Sequence, residues 1–203
     1  VHLTGLDQIL ILVFCERNIM SIKQALDFAY QAHDGQFRKG GKIPYIVHLF
    51  DVAKYLLYEE APEAVVIAGI LHDTLEDSNT NKQDLVQFEN EVVELVSFCT
   101  EEGNTVDAKD QEQKDTRKTR KVKSIEKLET ATKNQALVFL ADKLSNIIAI
   151  KEDQIFIGSE IWERFNAPKE EIEWYYKSIL AGLGIVNDTR MHRLFSIAIK
   201  DVF

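Results

Sequence analysis

Apolar residues recur three or four positions apart along most of this chain, which is the spacing of amphipathic helices. Ser21 and Gln24 form a predicted capping box that begins the first helix, and Gly35 is predicted to end it. Later helices are predicted around His48, from Pro62 to Leu71, at 80–88 behind a Thr80–Gln83 capping box, and at 91–100, 122–128, 136–150, 168–183 and 188–200. The pattern predicts one all-α domain, a helical bundle, over residues 20–203.

Two segments interrupt this pattern. Residues 101–120 carry many charges and no apolar periodicity, so we expect a long loop there. Residues 9–15 form an apolar run that is far shorter than the roughly 20 residues of a membrane-spanning helix. We predict that residues 1–19 are an appended or upstream-translated leader, and a short packing strand or helix is the alternative.

Composition and charge limit the classes of protein to which this chain can belong. The 203 residues are 45% hydrophobic and 28% charged, which excludes a disordered or low-complexity chain. The formal charge of −9 repels phosphate backbones and argues against nucleic-acid binding. Cys15 and Cys99 form no CxxC pair, so neither a disulfide framework nor a thiolate metal site is expected. A cytoplasmic protein that does not interact with membranes is the resulting prediction.

Two of the predicted core helices are nearly apolar but become polar at a few positions. These positions are His72, Asp73, Glu76 and Asp77 at the end of one helix, Asp142 and Asn146 one turn apart in the other, and a lone His48 elsewhere. Residues four apart share a helix face, so the first group projects into one pocket if its helix continues. Imidazole and carboxylate groups without thiolate suit a divalent cation used for hydrolysis.

Simpler interpretations exist for each of these polar positions. A lone histidine on an apolar helix is more often a satisfied core residue than a ligand. The segment 72–77 could be a solvated helix end, and buried Asp and Asn could form a structural hydrogen-bond network. Together these interpretations fit poorly, because four potential ligands and two further carboxylates replace residues that would otherwise pack.

The order His48, His72-Asp73, Asp142 resembles the metal-binding pattern of the HD-domain phosphohydrolases, a superfamily of α-helical enzymes. Three segments are similar to its RelA/SpoT-type hydrolase branch: AHDGQFRKGGKIPYIVH (32–48), ILHDTLEDS (70–78) and LADKLSNI (140–147). The segments WERFN (162–166) and EWYYKSI (173–179) are similar to small stand-alone bacterial members. The resemblance implies an HD-domain helical bundle with its metal site between core helices.

The resemblance also implies roles for individual residues. One Mn²⁺ per chain would be held by His48, His72, Asp73 and Asp142. Glu76 and Asp77 would orient or deprotonate the attacking water, and Asn146 would support the substrate or a metal-bound water. Arg38 and Lys39 in the Gly-rich loop, and Arg120 and Lys121 in the basic cluster 117–123, match residues that contact the nucleotide and its phosphates; solvated surface charge is the alternative for both pairs.

The implied function is hydrolysis of the alarmone (p)ppGpp at its 3′-pyrophosphate, giving GDP or GTP and pyrophosphate. The chain length leaves no room for an alarmone synthetase domain, so we expect hydrolysis and not synthesis. Ser145 departs from the histidine that many alarmone hydrolases have, which bears on the substrate more than on the metal. The alternatives are an HD phosphohydrolase acting on another nucleotide or phosphate ester, a non-catalytic nucleotide-sensing module, and a purely structural helical protein.

Overall fold

The computed structural model describes residues 21–101 and 117–203. Within these ranges the chain is helical, as the sequence predicts, and holds no strand beyond an isolated antiparallel bridge between Phe37 and Pro44. The α-helices are α1 (Ile22–Ala32), α2 (Ile46–Tyr58), α3 (Glu63–Leu71), α4 (Thr74–Asp77), α5 (Asn90–Cys99), α6 (Arg117–Glu126), α7 (Lys133–Ile157), α8 (Lys169–Gly182) and α9 (Arg190–Val202). Short 3₁₀ segments cover Lys82–Leu85, Lys127–Thr130, Gly158–Arg164 and Gly184–Val186.

The long helix α7 lies at the centre of the bundle. It packs against α2, α3, α5 and α9, while α3 also packs against α1, α2 and α5. Leu140, Leu144 and Ile147 of α7 have no exposed surface. In the part of the chain that is described, no helix is long and apolar enough to cross a membrane. The two helices predicted to carry polar groups, α3 and α7, are therefore core helices.

Gly69 lets α2 and α3 approach closely. A Cβ atom at this position would lie 2.4 Å from Cδ1 of Leu56 and 3.1 Å from Cγ1 of Val52, both on α2. Real side chains do not tolerate the first of these distances, so any larger residue would require the Leu56 side chain or α2 itself to move. This contact places the start of α2, and with it His48, beside the end of α3.

One of the two predicted capping boxes is present in the structure. The capping box of Ser21 and Gln24 is present, and Thr132 forms a further one with Gln135 at the start of α7. The predicted box of Thr80 and Gln83 is wrong. Asn81 caps a 3₁₀ turn instead, because the Thr80 hydroxyl is engaged with Ser78.

Two further sequence expectations need correction. The basic residues 117–120 belong to helix α6 and not to a loop, and 102–116 lie outside the described residues. Helix α3 does not continue through the polar segment, since it ends at Leu71 and a separate short helix, α4, begins at Thr74. Pro62 directly precedes α3 as its cap residue. The predicted leader, 1–19, also lies outside the described residues.

Candidate metal centre

The break between α3 and α4 brings two adjacent residues to one point. Adjacent residues of a continuous helix point about 100° apart, so their side chains diverge. At the break Asp73 leaves the helical path, with φ −94° and ψ −3°. Its Oδ2 atom consequently lies 2.9 Å from Nε2 of His72. The broken helix supplies two neighbouring donors where an intact helix would supply one.

Helices α2 and α7 complete the cluster. Nε2 of His48, on α2, lies 3.3 Å from Nε2 of His72 and 3.5 Å from Oδ2 of Asp73. Oδ1 of Asp142, on α7, lies 3.3 Å from Nε2 of His48 and 3.6 Å from Nε2 of His72. The four residues predicted as metal ligands are thus brought together, with the two histidine side chains buried.

Charges within the cluster support one another. Burial opposes ionisation of Asp73, but the imidazoles of His72 and His48 hold its pKa well below the usual range. Burial likewise opposes charge on Asp142, but the Lys143 ammonium and the two imidazoles together hold the pKa of Asp142 well below its usual range. In the protein without a cation, Asp73 and Asp142 raise the pKa of His72 well above 6.5 despite its burial. The two carboxylates are therefore ionised, and the His72 imidazole acts as a counter-charge.

Hydrogen bonds orient three of the four donors. Nδ1 of His48 lies 2.8 Å from Oγ of Ser145, and Nδ1 of His72 lies 2.8 Å from the carbonyl oxygen of Gly69. A histidine whose Nδ1–H donates in this way presents the lone pair of Nε2 to a cation. The Tyr45 hydroxyl donates to Oδ2 of Asp73, and burial followed by the Asp73 charge raises the pKa of Tyr45, which keeps the hydroxyl a donor.

The fourth donor, Asp142, is held from both sides along α7. Nζ of Lys143 donates to Oδ2 of Asp142 at 2.6 Å, and the Asn146 amide donates to Oδ1. Oδ1 of Asn146 in turn accepts a hydrogen bond of 2.7 Å from Arg38. Asn146 therefore links the basic loop to Asp142, and both ends of its amide are engaged.

The donor set fits a divalent cation. Two ligands that are each about 2.1 Å from a shared ion, at tetrahedral or octahedral angles, lie roughly 3.0–3.4 Å apart. The measured separations of 2.9–3.6 Å bracket this range. Two imidazole nitrogens and two carboxylate oxygens suit borderline or hard divalent metals. His48, His72 and Asp73 form a group of donors close enough to share one ion. Asp142 is not part of that group, although its Oδ1 lies within 3.6 Å of both histidines.

Glu76 and Asp77 lie on α4, directly after the cluster. Burial is the main cause that raises the pKa of Glu76 to about 7, and its Oε1 atom accepts a hydrogen bond from the backbone N–H of Glu101. Burial and then the Asp73 charge raise the pKa of Asp77. A carboxyl group with a pKa near neutrality can accept a proton and release it again at neutral pH.

A small polar cavity opens on one side of the cluster. Its volume is about 250 Å³, and Asp73, Asp142 and Glu76 form part of its wall. Four cationic side chains also line it, namely Arg117, Arg120, Lys121 and Lys143, together with a fourth acid, Glu101. The predicted pair Arg120 and Lys121 therefore faces the cluster from α6.

A larger cavity of about 640 Å³ opens on the other side and is lined by His48 and Ser145. Arg38 and Lys39 contribute to it from the basic loop, together with Phe37, Tyr45, Phe165 and Tyr176. The guanidinium of Arg38 lies over the Tyr45 ring, and Nζ of Lys39 lies 5.5 Å from the centroid of the Phe165 ring. We call the first hollow the cationic cavity and this second hollow the aromatic cavity.

The turn of the basic loop depends on Gly40. Its φ of +80° is unfavourable for other residues, and a Cβ atom there would lie 2.4 Å from Cδ of Arg164. Arg164 is itself held by Asp153 at 2.6 Å. His33 anchors the other end of the loop through Gln36 and by stacking on the Tyr45 ring.

Sequence reasoning missed three residues that contact the cluster. Ser145 was noted only as a departure from a motif, and Tyr45 and Lys143 lay inside quoted segments without a role. A signal was present for Lys143, because a lysine next to a buried aspartate in an apolar helix needs a partner. The bond from Tyr45 depends on the break after α3, which the sequence pattern did not reveal.

Comparison with known proteins agrees with this geometry. The HD domain family matches residues 25–163, so the chain belongs to the HD domain family. An 81-residue stretch is 41% identical to a guanosine-3′,5′-bis(diphosphate) 3′-pyrophosphohydrolase of Borreliella burgdorferi, and a 93-residue stretch is 37% identical to the bifunctional (p)ppGpp synthase/hydrolase SpoT of Escherichia coli. These stretches cover 39% and 45% of this chain but only 12% and 13% of the two relatives.

Solved structures show the same architecture. The crystal structure of lmo0812 from Listeria monocytogenes has a TM-score of 0.67 and 25% identity, over 77% of this chain and 98% of that one. A metazoan ortholog of SpoT, described as hydrolysing ppGpp, has a TM-score of 0.70 and 22% identity, over 89% of this chain and 96% of that one. The predicted all-α HD-domain fold is confirmed.

Proposed function

We propose that this protein is a metal-dependent hydrolase that removes the 3′-pyrophosphate of (p)ppGpp, giving GDP or GTP and pyrophosphate. The observation that carries the proposal is the position of the four-donor cluster between two cavities of different chemistry. His48 faces the aromatic cavity, and Asp73 and Asp142 face the cationic cavity. The named activities of the similar hydrolases support this choice of substrate.

His48, His72, Asp73 and Asp142 would hold one divalent cation, for which we propose Mn²⁺. When bound, such a cation neutralises charge on a phosphate group and lowers the pKa of a coordinated water. The protein's own contribution is to hold the donors in the right state and orientation. Ser145 and the Gly69 carbonyl oxygen orient the imidazoles of His48 and His72, and the Tyr45 hydroxyl stabilises the ionised Asp73 carboxylate.

Glu76 is proposed to accept the proton of the attacking water. In the reaction the oxygen of water bonds to the 3′-linked phosphorus, and the bond from that phosphorus to the ribose 3′ oxygen breaks. One proton of water passes to a carboxylate, and the 3′ oxygen gains a proton to become a hydroxyl. Glu76 suits this exchange because its pKa is about 7. Asp77, which lies on the same short helix, is proposed to orient the water.

The two cavities divide the substrate between them in this proposal. The aromatic side chains near Arg38 and Lys39 would hold the nucleoside and its 5′ phosphates, and Asn146 would keep Arg38 in place. Arg120 and Lys121 would contact the 3′-pyrophosphate in the cationic cavity. We also propose a cytoplasmic location, because the sequence predicts no disulfides.

The experiment is to incubate the purified full chain with Mn²⁺ and ppGpp and to identify the nucleotide and phosphate products. GDP and pyrophosphate are expected, and Asp73→Ala should abolish both while its circular dichroism stays helical. Asp27→Ala is the matched control, because this aspartate lies on the surface of α1 and pairs only with Lys23 among the contacts described.

Other outcomes separate the alternatives. Release of orthophosphate from a different nucleotide, lost in Asp73→Ala, would replace the substrate and keep the cluster as the active site. Binding of ppGpp without any turnover would indicate a nucleotide-sensing module. Full activity of Asp73→Ala would overturn the assignment of the site.

A further inference from the structure

The cationic cavity already contains an anion of the protein's own. Oε1 of Glu101 accepts a hydrogen bond of 2.5 Å from Nζ of Lys121, and Oε2 accepts one of 3.3 Å from Nε of Arg120. The side chain of Glu101 is only 14% exposed. Burial opposes its ionisation, but Lys121 and Arg120 hold its pKa below the usual range. A carboxylate bridging two cations in this way has the same contacts as a phosphate oxygen pair.

The other acids of this cavity have different partners. Asp73 and Asp142 point to the histidines of the cluster, and Glu76 accepts a hydrogen bond from a backbone N–H. Glu101 instead bonds to two basic side chains of α6, Arg120 and Lys121. Its carboxylate can leave the cavity without disturbing a metal donor.

The same residue contacts the proposed proton acceptor. The backbone N–H of Glu101 donates to Oε1 of Glu76, which stabilises the ionised form of that carboxylate. A hydrogen bond of this kind makes Glu76 a weaker base. Movement of Glu101 would therefore change both the charge in the cavity and the basicity of Glu76.

We infer that the cationic cavity is a binding site for inorganic diphosphate, and that the Glu101 carboxylate occupies it when no anion is bound. Arg120 and Lys121, which now bond to Glu101, would contact the two linked phosphate groups. Arg117 and Lys143 also line the cavity, but they are paired with Glu171 and Asp142. The inference deepens the proposed function, because the diphosphate would be the leaving group of that reaction. Arrival of the 3′-pyrophosphate would displace Glu101 and free Glu76 from its N–H donor.

Calorimetric titration of pyrophosphate into the metal-loaded full chain, dialysed free of excess metal, tests the site without any substrate. One pyrophosphate is expected to bind, more tightly than orthophosphate. Lys121→Ala should weaken the binding about tenfold or more, because it removes a charge-assisted hydrogen bond. Lys118→Ala should have no effect, since Lys118 lies on the exposed face of the same helix. Helical circular dichroism of each variant confirms that it is folded.

Glu101→Gln tests whether the Glu101 carboxylate occupies the cationic cavity. It keeps the backbone N–H and the shape of the side chain but removes the competing charge, so pyrophosphate should bind roughly tenfold more tightly. Glu126→Gln, an exposed acid of α6, is the matched control and should change nothing. Unchanged or weaker binding in Glu101→Gln would show that Glu101 does not occupy the site.

The remaining outcomes also decide the inference. Equal effects of Lys121→Ala and Lys118→Ala would place pyrophosphate outside this cavity, and equal affinities for pyrophosphate and orthophosphate would leave room for one phosphate group only. Either result would overturn the diphosphate site while leaving ppGpp hydrolysis intact. Normal pyrophosphate binding in a chain that does not hydrolyse ppGpp would instead refute the proposed function alone.

Discussion

The two core helices that build the cluster do so in opposite ways. Helix α3 ends at Leu71 and supplies His72 and Asp73 from a break, whereas α7 runs unbroken from Lys133 to Ile157 and supplies Asp142 from its middle. At the break, carbonyl groups are satisfied by side chains, since the Thr74 hydroxyl donates to the carbonyl oxygen of Leu71 at 2.7 Å. A break allows the side chains of the neighbouring residues His72 and Asp73 to converge. The continuous helix α7 instead supplies one donor, Asp142, and places its partners Lys143 and Asn146 one residue and one turn away.

The largest difference between the two helices should appear in the stability of the metal-free protein. Asp142→Ala leaves the Lys143 ammonium poorly solvated without its main partner, and should lower the free energy of unfolding by about 2–4 kcal/mol. Asp73→Ala should cost less, because His72, whose pKa Asp73 raises, can then lose its proton. Urea denaturation in the presence of a chelator measures both.

A second substitution tests whether the unpaired Lys143 charge causes the loss of stability in Asp142→Ala. Lys143→Met in the Asp142→Ala background removes the orphaned charge and should recover most of the lost stability, but not metal binding. Equal destabilisation by Asp73→Ala and Asp142→Ala would contradict the proposed difference between the helices.

The next effect is the pH dependence of stability that Glu76 contributes, on the short helix directly after the break. Because the folded-state pKa of Glu76 is about 7 and the ordinary value is 4.5, the native protein holds this proton more tightly than the unfolded chain. Glu76 therefore favours folding fully below pH 4.5, and its contribution, about 2–3 kcal/mol, is lost as the pH rises to about 7. The difference in unfolding free energy between the wild type and Glu76→Gln, both metal-free, should fall over this interval. A difference that is constant from pH 4 to pH 8 would show that the carboxyl is not perturbed.

The smallest effect compares the groups that orient the donors. Ser145→Ala removes the partner of His48 on α7, and Tyr45→Phe removes the partner of Asp73 at the break. Each should weaken metal binding about tenfold, measured by competition with a chromogenic chelator, with little change in helicity. Ser178→Ala on the outer face of α8 is the control for the serine change. Unaltered metal affinity in both variants would mean that these hydroxyl groups do not position the donors.

The difference between the helices also explains what the sequence could predict. Helix α7 was predictable, because a long apolar stretch with residues 142 and 146 one turn apart has a single helical interpretation. The break was not, since 72–77 satisfies the spacing of a continued helix equally well, and the distinction depends on tertiary contacts such as the bond from Tyr45 to Asp73. The four donors were predicted from their order along the chain, but their partners Ser145 and Lys143 depend on which faces of α2, α6 and α7 meet.

The single hydrogen atom that Gly69 carries in place of a side chain sets the spacing of the metal donors. It fixes the separation of α2 from α3, and so the gap between the imidazole nitrogens of His48 and His72, which each belong to one of the two segments. The backbone of the same residue orients His72 through its carbonyl oxygen. A methyl group at position 69 would push α2 and α3 apart and lengthen the distance between the donor nitrogens of His48 and His72. Ions of small radius would then lose affinity before large ones. Gly69 would thus influence which ion the proposed centre prefers, although it is not one of the proposed donors.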